Sequence, residues 1–147
     1  MLYFKNNNKV IGNIMNKDIF NNITSSEQSS EISEFINSLV PGDDMWKMRA
    51  SSFMTSLIKV LVALRDDNKL ILDVATIRSF LELRMCEDLI KRTDIDEVHK
   101  RGLKSYLINI PGYNSDATDQ ESVVFQHHGY VSMQFTEILA MIESQIN

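Results

Sequence analysis

The stretch from Asp43 to Leu64 constrains the fold more than any other part of the chain. It follows a Pro41-Gly42 turn, opens on two acids, and contains "FMTSLIKVLVAL" from Phe53 to Leu64. Trp46, Phe53, Leu57, Val60, Leu61 and Leu64 recur at helical spacing. Met45, Met48, Met54, Ile58 and Val62 widen that stripe to nearly the whole circumference. A helix apolar on all sides is the central rod of a helical domain or part of a membrane span. A span needs roughly 18 to 20 consecutive apolar residues, and Lys59 interrupts this run. The N-terminal "MLYFKNNNKV" lacks the long apolar region of a signal peptide. The reading is therefore a core rod in a soluble chain with no membrane contact of its own.

With 147 residues the chain is long enough for one domain with a real core. Two Pro and five Gly argue against a loop-rich or sandwich architecture. The net charge of −5 excludes a global basic field that would recruit nucleic acid. A single Cys excludes an intrachain disulfide and fits a reducing compartment. Cys86, between Met85 and Leu89, reads as a small buried hydrophobe.

Residues 1–23 differ from the rest. Seven Asn fall between Asn6 and Asn22, and the apolar runs "LYF" and "VIGNI" flank a polar "KNNNK". The segment reads either as an extended, hairpin-like element with Asn at its turns or as a disordered leader. Residues 24–147 read as an all-α domain. Ser25 or Ser26 can cap a first helix with Ile32, Phe35, Ile36 and Leu39 on one face. Asp43 or Asp44 caps the rod, and "RDDNK", Arg65 to Lys69, stops it. Asp73 caps a short helix carrying Val74, Ile77, Phe80 and Leu81. Another helix covers Leu83 to Arg92. Asp94 or Asp96 starts the next, with Val98, Leu103, Tyr106 and Leu107 expected inward and Gly102 weakening it by roughly 1 kcal/mol relative to Ala. After the break "IPGYNSDATD", a last helix runs from about Asp119 to Ile146 with Val124, Val131, Phe135, Ile138, Leu139 and Ile142 inward. The predicted fold is a compact all-α bundle of about six helices, two of them long core helices.

The chemistry-bearing residues are sparse. No GxxxxGK[ST] loop, GxSxG, HExxH or CxxC occurs, and no catalytic residue, metal or cofactor is expected. His127 and His128 are adjacent, so on a helix they point about 100° apart and do not share a metal. One is expected to face inward and one outward. Asp43-Asp44 is better explained by capping than by acid–base work, and the Met residues by core filling than by a binding groove. Charge distribution is more informative. From Ser115 onward there are five acids, Asp116, Asp119, Glu121, Glu137 and Glu143, and no Lys or Arg. The remaining residues balance. Among them Lys91, Arg92, Lys100, Arg101 and Lys104 cluster, and Lys100, Arg101 and Lys104 are expected to share one helix surface. They read as a solvated face or as a patch for phosphates or an acidic partner.

Four stretches together carry a resemblance: "GDDMWKMRA", "LVALRDD", "YLINIPGY" and "QHHGYVSMQFTEIL". In this order they resemble the all-alpha domain of type IV secretion and conjugation coupling proteins, in the branch that includes DotL and the conjugative TrbC proteins, over about residues 24 to 143. The resemblance implies a helical domain that receives cargo at the cytoplasmic mouth of a hexameric motor ATPase. The partners it implies are relaxosome components with their DNA, effector or adaptor proteins, and the parent's motor domain. It implies no enzymatic activity for this domain. Trp46 would be its core anchor, and Arg49 on the same face would reach a neighbouring helix terminus or carboxylate. The motor's nucleotide motifs and membrane helices are missing from the sequence, so the segment is expected to be a domain set between motor strands, with residues 1–23 and the terminal "ESQIN" as seams. The competing readings are a freestanding helical DNA-binding module, weak and non-specific through Lys91 to Lys104, and a small helical enzyme.

Overall fold

The computed structural model describes residues 29–42 and 44–146, with side chains as far as Ser144. The hairpin-or-leader reading of residues 1–23, the Ser25 or Ser26 cap and Asp43 lie outside the described residues. Among the described residues six helices form: α1 (Ser29–Ser38), α2 (Met45–Asp66), α3 (Val74–Ser79), α4 (Leu83–Lys91), α5 (Glu97–Ile108) and α6 (Ser122–Ile146). No strand occurs among the described residues. The all-α reading with two long helices holds.

The rod α2 begins where the sequence says it should. Gly42, at φ 85°, turns the chain in a conformation that favours glycine. Asp44 then caps the helix, its side chain accepting from the Lys47 amide at 3.0 Å. The other end is a Schellman stop. Asn68 adopts φ 59°, the Lys69 amide donates to the Leu64 carbonyl at 2.9 Å, and the Asn68 amide donates to Arg65, also at 2.9 Å. Asp73 caps α3 by accepting from the Thr76 amide at 2.7 Å.

Burial on more than one side of α2 is complete. Phe53, Met54, Leu57, Ile58, Val60, Leu61 and Val62 are all fully buried. Helices α1, α5 and α6 pack against it, while α3 leans on α6 and α4 on α5. Each fully buried Leu, Ile or Phe stabilises the fold by about 1.5 to 3 kcal/mol relative to exposure, so the core centres on this rod. The inward residues expected of α6, Val124, Val131, Phe135, Ile138, Leu139 and Ile142, are all buried. Cys86 is buried as well, and that burial pushes its thiol up to about 12.

Two packing details position the site. Helix α5 passes α2 antiparallel, since Gly102 meets Ser56 while Tyr106 meets Phe53 one turn back along α2. A Cβ on Gly102 would stand 2.9 Å from the Ser56 hydroxyl oxygen, so this glycine permits the close approach. The break after α5 is held by Gln120, which is buried. Its side-chain oxygen accepts from the Asn114 amide at 2.9 Å and its nitrogen donates to the Asn114 carbonyl at 2.7 Å.

Several expectations differ from the structure. Met45 and Met48, expected to widen the buried stripe of α2 as core filling, are exposed, as they fall on the first turn of the rod ahead of its buried run from Ala50. Val98 is 49% exposed, because α5 presents Leu103 and Leu107 to the core from a later turn. Helix α6 starts at Ser122 rather than near Asp119. Trp46 is only partly buried, because the first turn of α2 projects to the end of the bundle.

Candidate functional site

Helix α6 brings a pair of histidines against α2, and the two diverge. His128 is 3% exposed. Its Nε2 lies 2.6 Å from the Leu81 carbonyl and its Nδ1 lies 2.7 Å from the Tyr106 hydroxyl. A carbonyl only accepts, so Nε2 carries the proton and Nδ1 accepts from Tyr106. The ring packs edge-on against Phe53, with centroids 5.0 Å apart. Burial holds His128 below the usual histidine range. It is a structural strut linking α5, α6 and the Leu81 turn.

His127 diverges from it and joins an aromatic cluster at the end of the bundle. Its ring lies 5.2 Å from that of Trp46, and the Tyr130 ring lies 5.5 Å from Trp46. Arg49 completes the cluster. Its Nη1 donates to His127 Nε2 at 3.1 Å, and its guanidinium carbon stands 5.3 Å from the centre of the Trp46 ring. Arg49 therefore reaches a histidine and an indole, not the helix terminus or carboxylate that the resemblance suggested. An Nε2 that accepts from Arg49 is unprotonated. Burial, and after it the Arg49 charge, keep His127 below the ordinary range.

Two hollows flank this cluster. One, of ≈ 270 Å³, lies beside Trp46 and Tyr130 with Pro41, Asp44 and Gln134 on its walls. On the first turn of α2 and on α6, Met45, Met48, Tyr130 and Met133 are 55%, 70%, 51% and 59% exposed. The second, of ≈ 300 Å³, runs between α2 and α5, from Arg49 and His127 past Ser52 and Ser105 to Gly102. A third hollow, of ≈ 160 Å³, gathers Asp66, Asp67, Asp94 and Asp96 beside His99. Lys69 already bridges Asp67 and Asp94 there. Among the described residues no group of three or more His, Cys, Asp or Glu could hold a metal ion.

The basic residues picked from the sequence do not form one open surface. Lys100 is 3% exposed. Its ammonium donates to the Arg92 carbonyl at 2.6 Å and the Ile90 carbonyl at 3.3 Å, and pairs with Glu97 at 3.1 Å. It closes the C-terminal end of α4, where the helix's unpaired carbonyls favour a cation. Arg92 is held by Asp94 at 2.7 Å, and Lys104 by Glu97. Arg92 and then Lys69 hold the Asp94 carboxyl well below the usual range. Lys91 and Arg101 are exposed. The expectation that Lys100, Arg101 and Lys104 share an outer surface thus fails at Lys100, because the end of α4 covers it.

No helix among the described residues is long and apolar enough to cross a membrane. Neither a protein-family model nor a solved structure matches the chain. The chain is similar to the type 4 coupling protein DotL of Legionella pneumophila subsp. pneumophila (strain Philadelphia 1), with 33% identity over 109 residues. The aligned stretch takes in 62% of this chain and spans 13% of DotL's length. The similarity supports a relation to a bacterial type IV coupling protein at family level.

Proposed function

We propose that this chain is a non-enzymatic reception domain of a type IV coupling apparatus, binding partner or cargo polypeptides for a motor ATPase at the cytoplasmic face of the inner membrane. The observation that carries the reading is the 33% identity to DotL over 109 residues. The surface offered for contact is the end of the bundle where the Trp46 and Tyr130 rings meet at a tilt and Met45, Met48 and Met133 stand exposed. Aromatic and Met side chains are enriched where proteins meet proteins. Relaxosome, effector and adaptor proteins are the cargo classes this reading admits, and the parent's motor domain is its neighbour.

Polypeptide is favoured over DNA by the state of the charges. Arg92, Lys100 and Lys104 are already engaged with Asp94 and Glu97. Affinity for nucleic acid scales with the number of cations free to neutralise phosphates, and the chain as a whole carries −5.

The test is export in the cell that encodes the chain. Met48→Asp with Tyr130→Asp should abolish delivery of a reporter-tagged type IV substrate while the protein accumulates to its normal level. Undiminished delivery by that variant would overturn the reading of this face as the reception surface.

A further inference from the structure

We propose that the groove between α2 and α5 binds the carboxylate of a partner polypeptide, with the Arg49 guanidinium as its anchor. The proposal deepens the reading of the domain as a polypeptide receiver and rests on it for the source of the carboxylate. The chemistry of the groove stands on the geometry alone.

Arg49 is half-buried, and its contacts are to neutral groups: the bare Nε2 of His127 at 3.1 Å and the face of Trp46 at 5.3 Å. No carboxylate among the described residues pairs with it. A guanidinium has five N–H donors in a planar fork, and the His127 contact uses one. The ring nitrogen on one side and the indole on the other hold that fork in a fixed orientation, so little further ordering is needed when an acceptor arrives. A planar fork with spare donors matches a carboxylate, which accepts two parallel bonds.

Among the described residues the rest of the groove's lining is uncharged. Residues 49, 52 and 56 of α2 lie at helical spacing along one wall, and 102, 105 and 109 of α5 along the other. The hydroxyls of Ser52 and Ser105 suit the peptide groups of an extended chain, while the Asn109 amide nitrogen already donates to the Ser105 carbonyl at 2.7 Å. Gly102 narrows the far end, where α5 closes on Ser56. At ≈ 300 Å³ the groove is the size of a small-ligand site and holds a short chain end. One formal charge balances a monoanion. A phosphate dianion or a nucleic-acid strand calls for several cations, and Arg49 supplies one.

The probe is an N-acetylated hexapeptide of Gly, Ser, Ala and Leu with a free terminal carboxylate, titrated into the full chain. Its amidated twin and inorganic phosphate are the controls. Trp46 is the single tryptophan of the sequence and touches Arg49, so its emission reports on the site. The Arg49 side-chain Nε–H resonance gives an independent reading. The free acid should shift both signals saturably, and amidation should weaken binding about tenfold or more, the scale of one charge-assisted hydrogen bond. Arg49→Gln should lose the response. Ser105→Glu, at an exposed position on the groove wall, should lose it with an unchanged melting temperature, so the site is tested even where Arg49→Gln fails to fold.

Equal binding of acid and amide, or no saturable response to the acid, overturns the proposal. Phosphate shifting the same signals at lower concentration than the acid does so too, and makes this a phosphate site. The export assay separates the two readings. Peptide binding with export untouched by Ser105→Glu leaves the groove standing and removes its link to reception.

Discussion

The Lys100 ammonium lies 2.6 Å from the Arg92 carbonyl, buried between the end of α4 and the start of α5. Two carbonyls and the Glu97 carboxylate share that one cation. Removing it leaves the carbonyls of Ile90 and Arg92, at the end of α4, without their cation. Lys100→Ala should therefore destabilise the domain by about 1.5 to 3 kcal/mol, the range for hydrogen bonds to a charged group. The midpoint of urea unfolding measures this. A change within about 0.5 kcal/mol, typical of a surface substitution, would show that the ammonium is dispensable.

Acid should weaken the fold through His128. Its folded pKa lies below its unfolded one because burial disfavours the imidazolium. The unfolded chain therefore binds more protons as pH falls through about 6.5, and stability drops from there down to the folded pKa. His127, also lowered, adds to the same decline. Asp94 and Glu97 are held below the carboxylate range and lose their contribution only in more acidic solution, around pH 4 and below. His128→Gln should be less stable than the wild type at pH 7 yet flatter between pH 7 and 5.5. Parallel pH profiles for the two proteins would remove His128 as the source.

Gly102 and Ser56 should be energetically coupled. In a helix interior Gly costs about 1 kcal/mol against Ala. Gly102→Ala alone should not recover that, since its Cβ meets the Ser56 hydroxyl at 2.9 Å. With Ser56→Ala in place the nearest remaining atom is the residue-56 Cβ at 3.4 Å, an ordinary contact. The double variant should then gain up to about 1 kcal/mol over Ser56→Ala. A double-mutant cycle on thermal melts reads the coupling directly, and strict additivity would contradict it.

Helical spacing made most of the fold legible. The stripe of α6, and that of α2 from Phe53 onward, named their buried residues, while Met45 and Met48 on the first turn of α2 stand exposed. Asp44 and Asp73 were readable as caps, and the adjacent histidines had to diverge. The failures have a common cause. Spacing along one helix says which residues share a face, but not what covers that face. Lys100 and Lys104 are one turn apart, yet the end of α4 lies over Lys100 alone. Val98 falls on the apolar side of α5 by pattern but beyond the reach of its neighbours. The pairing of Arg49 with His127 spans 78 positions and two helices. A lone Arg beside an indole in the first turns of the rod was its only trace in the sequence.

Trp46 shows how position modifies hydrophobicity. Its ring meets His127 and Tyr130 and borders an open hollow that Tyr130 also lines. Trp46→Ala should cost about 1 to 3 kcal/mol, below the 3 to 5 typical of a fully enclosed aromatic. The wild-type emission should be partly quenched by acrylamide. A fully protected indole, or a loss above that range, would place the ring deeper than the structure does.

DNA binding through the basic region should be weak or undetectable. Lys91 and Arg101 are exposed, while Arg92 and Lys104 would have to give up Asp94 and Glu97 to meet phosphates. With two cations of the region free of ion pairs among the described residues, the salt dependence should be shallow, with a slope of about −2 in log K against log salt on duplex DNA. The informative variant is Lys91→Glu with Arg101→Glu, which leaves the buried Lys100 untouched. Reversing Lys100 as well would confuse lost binding with lost folding, because its ammonium holds the end of α4. A mobility shift at low salt that the double reversal abolishes, with helicity unchanged, would restore DNA as a cargo. A steep salt slope, near −5, would mean that all five basic residues of the region reach phosphates and that the ion pairs open on binding. No shift at low salt is the expected result, and it leaves polypeptide as the cargo class.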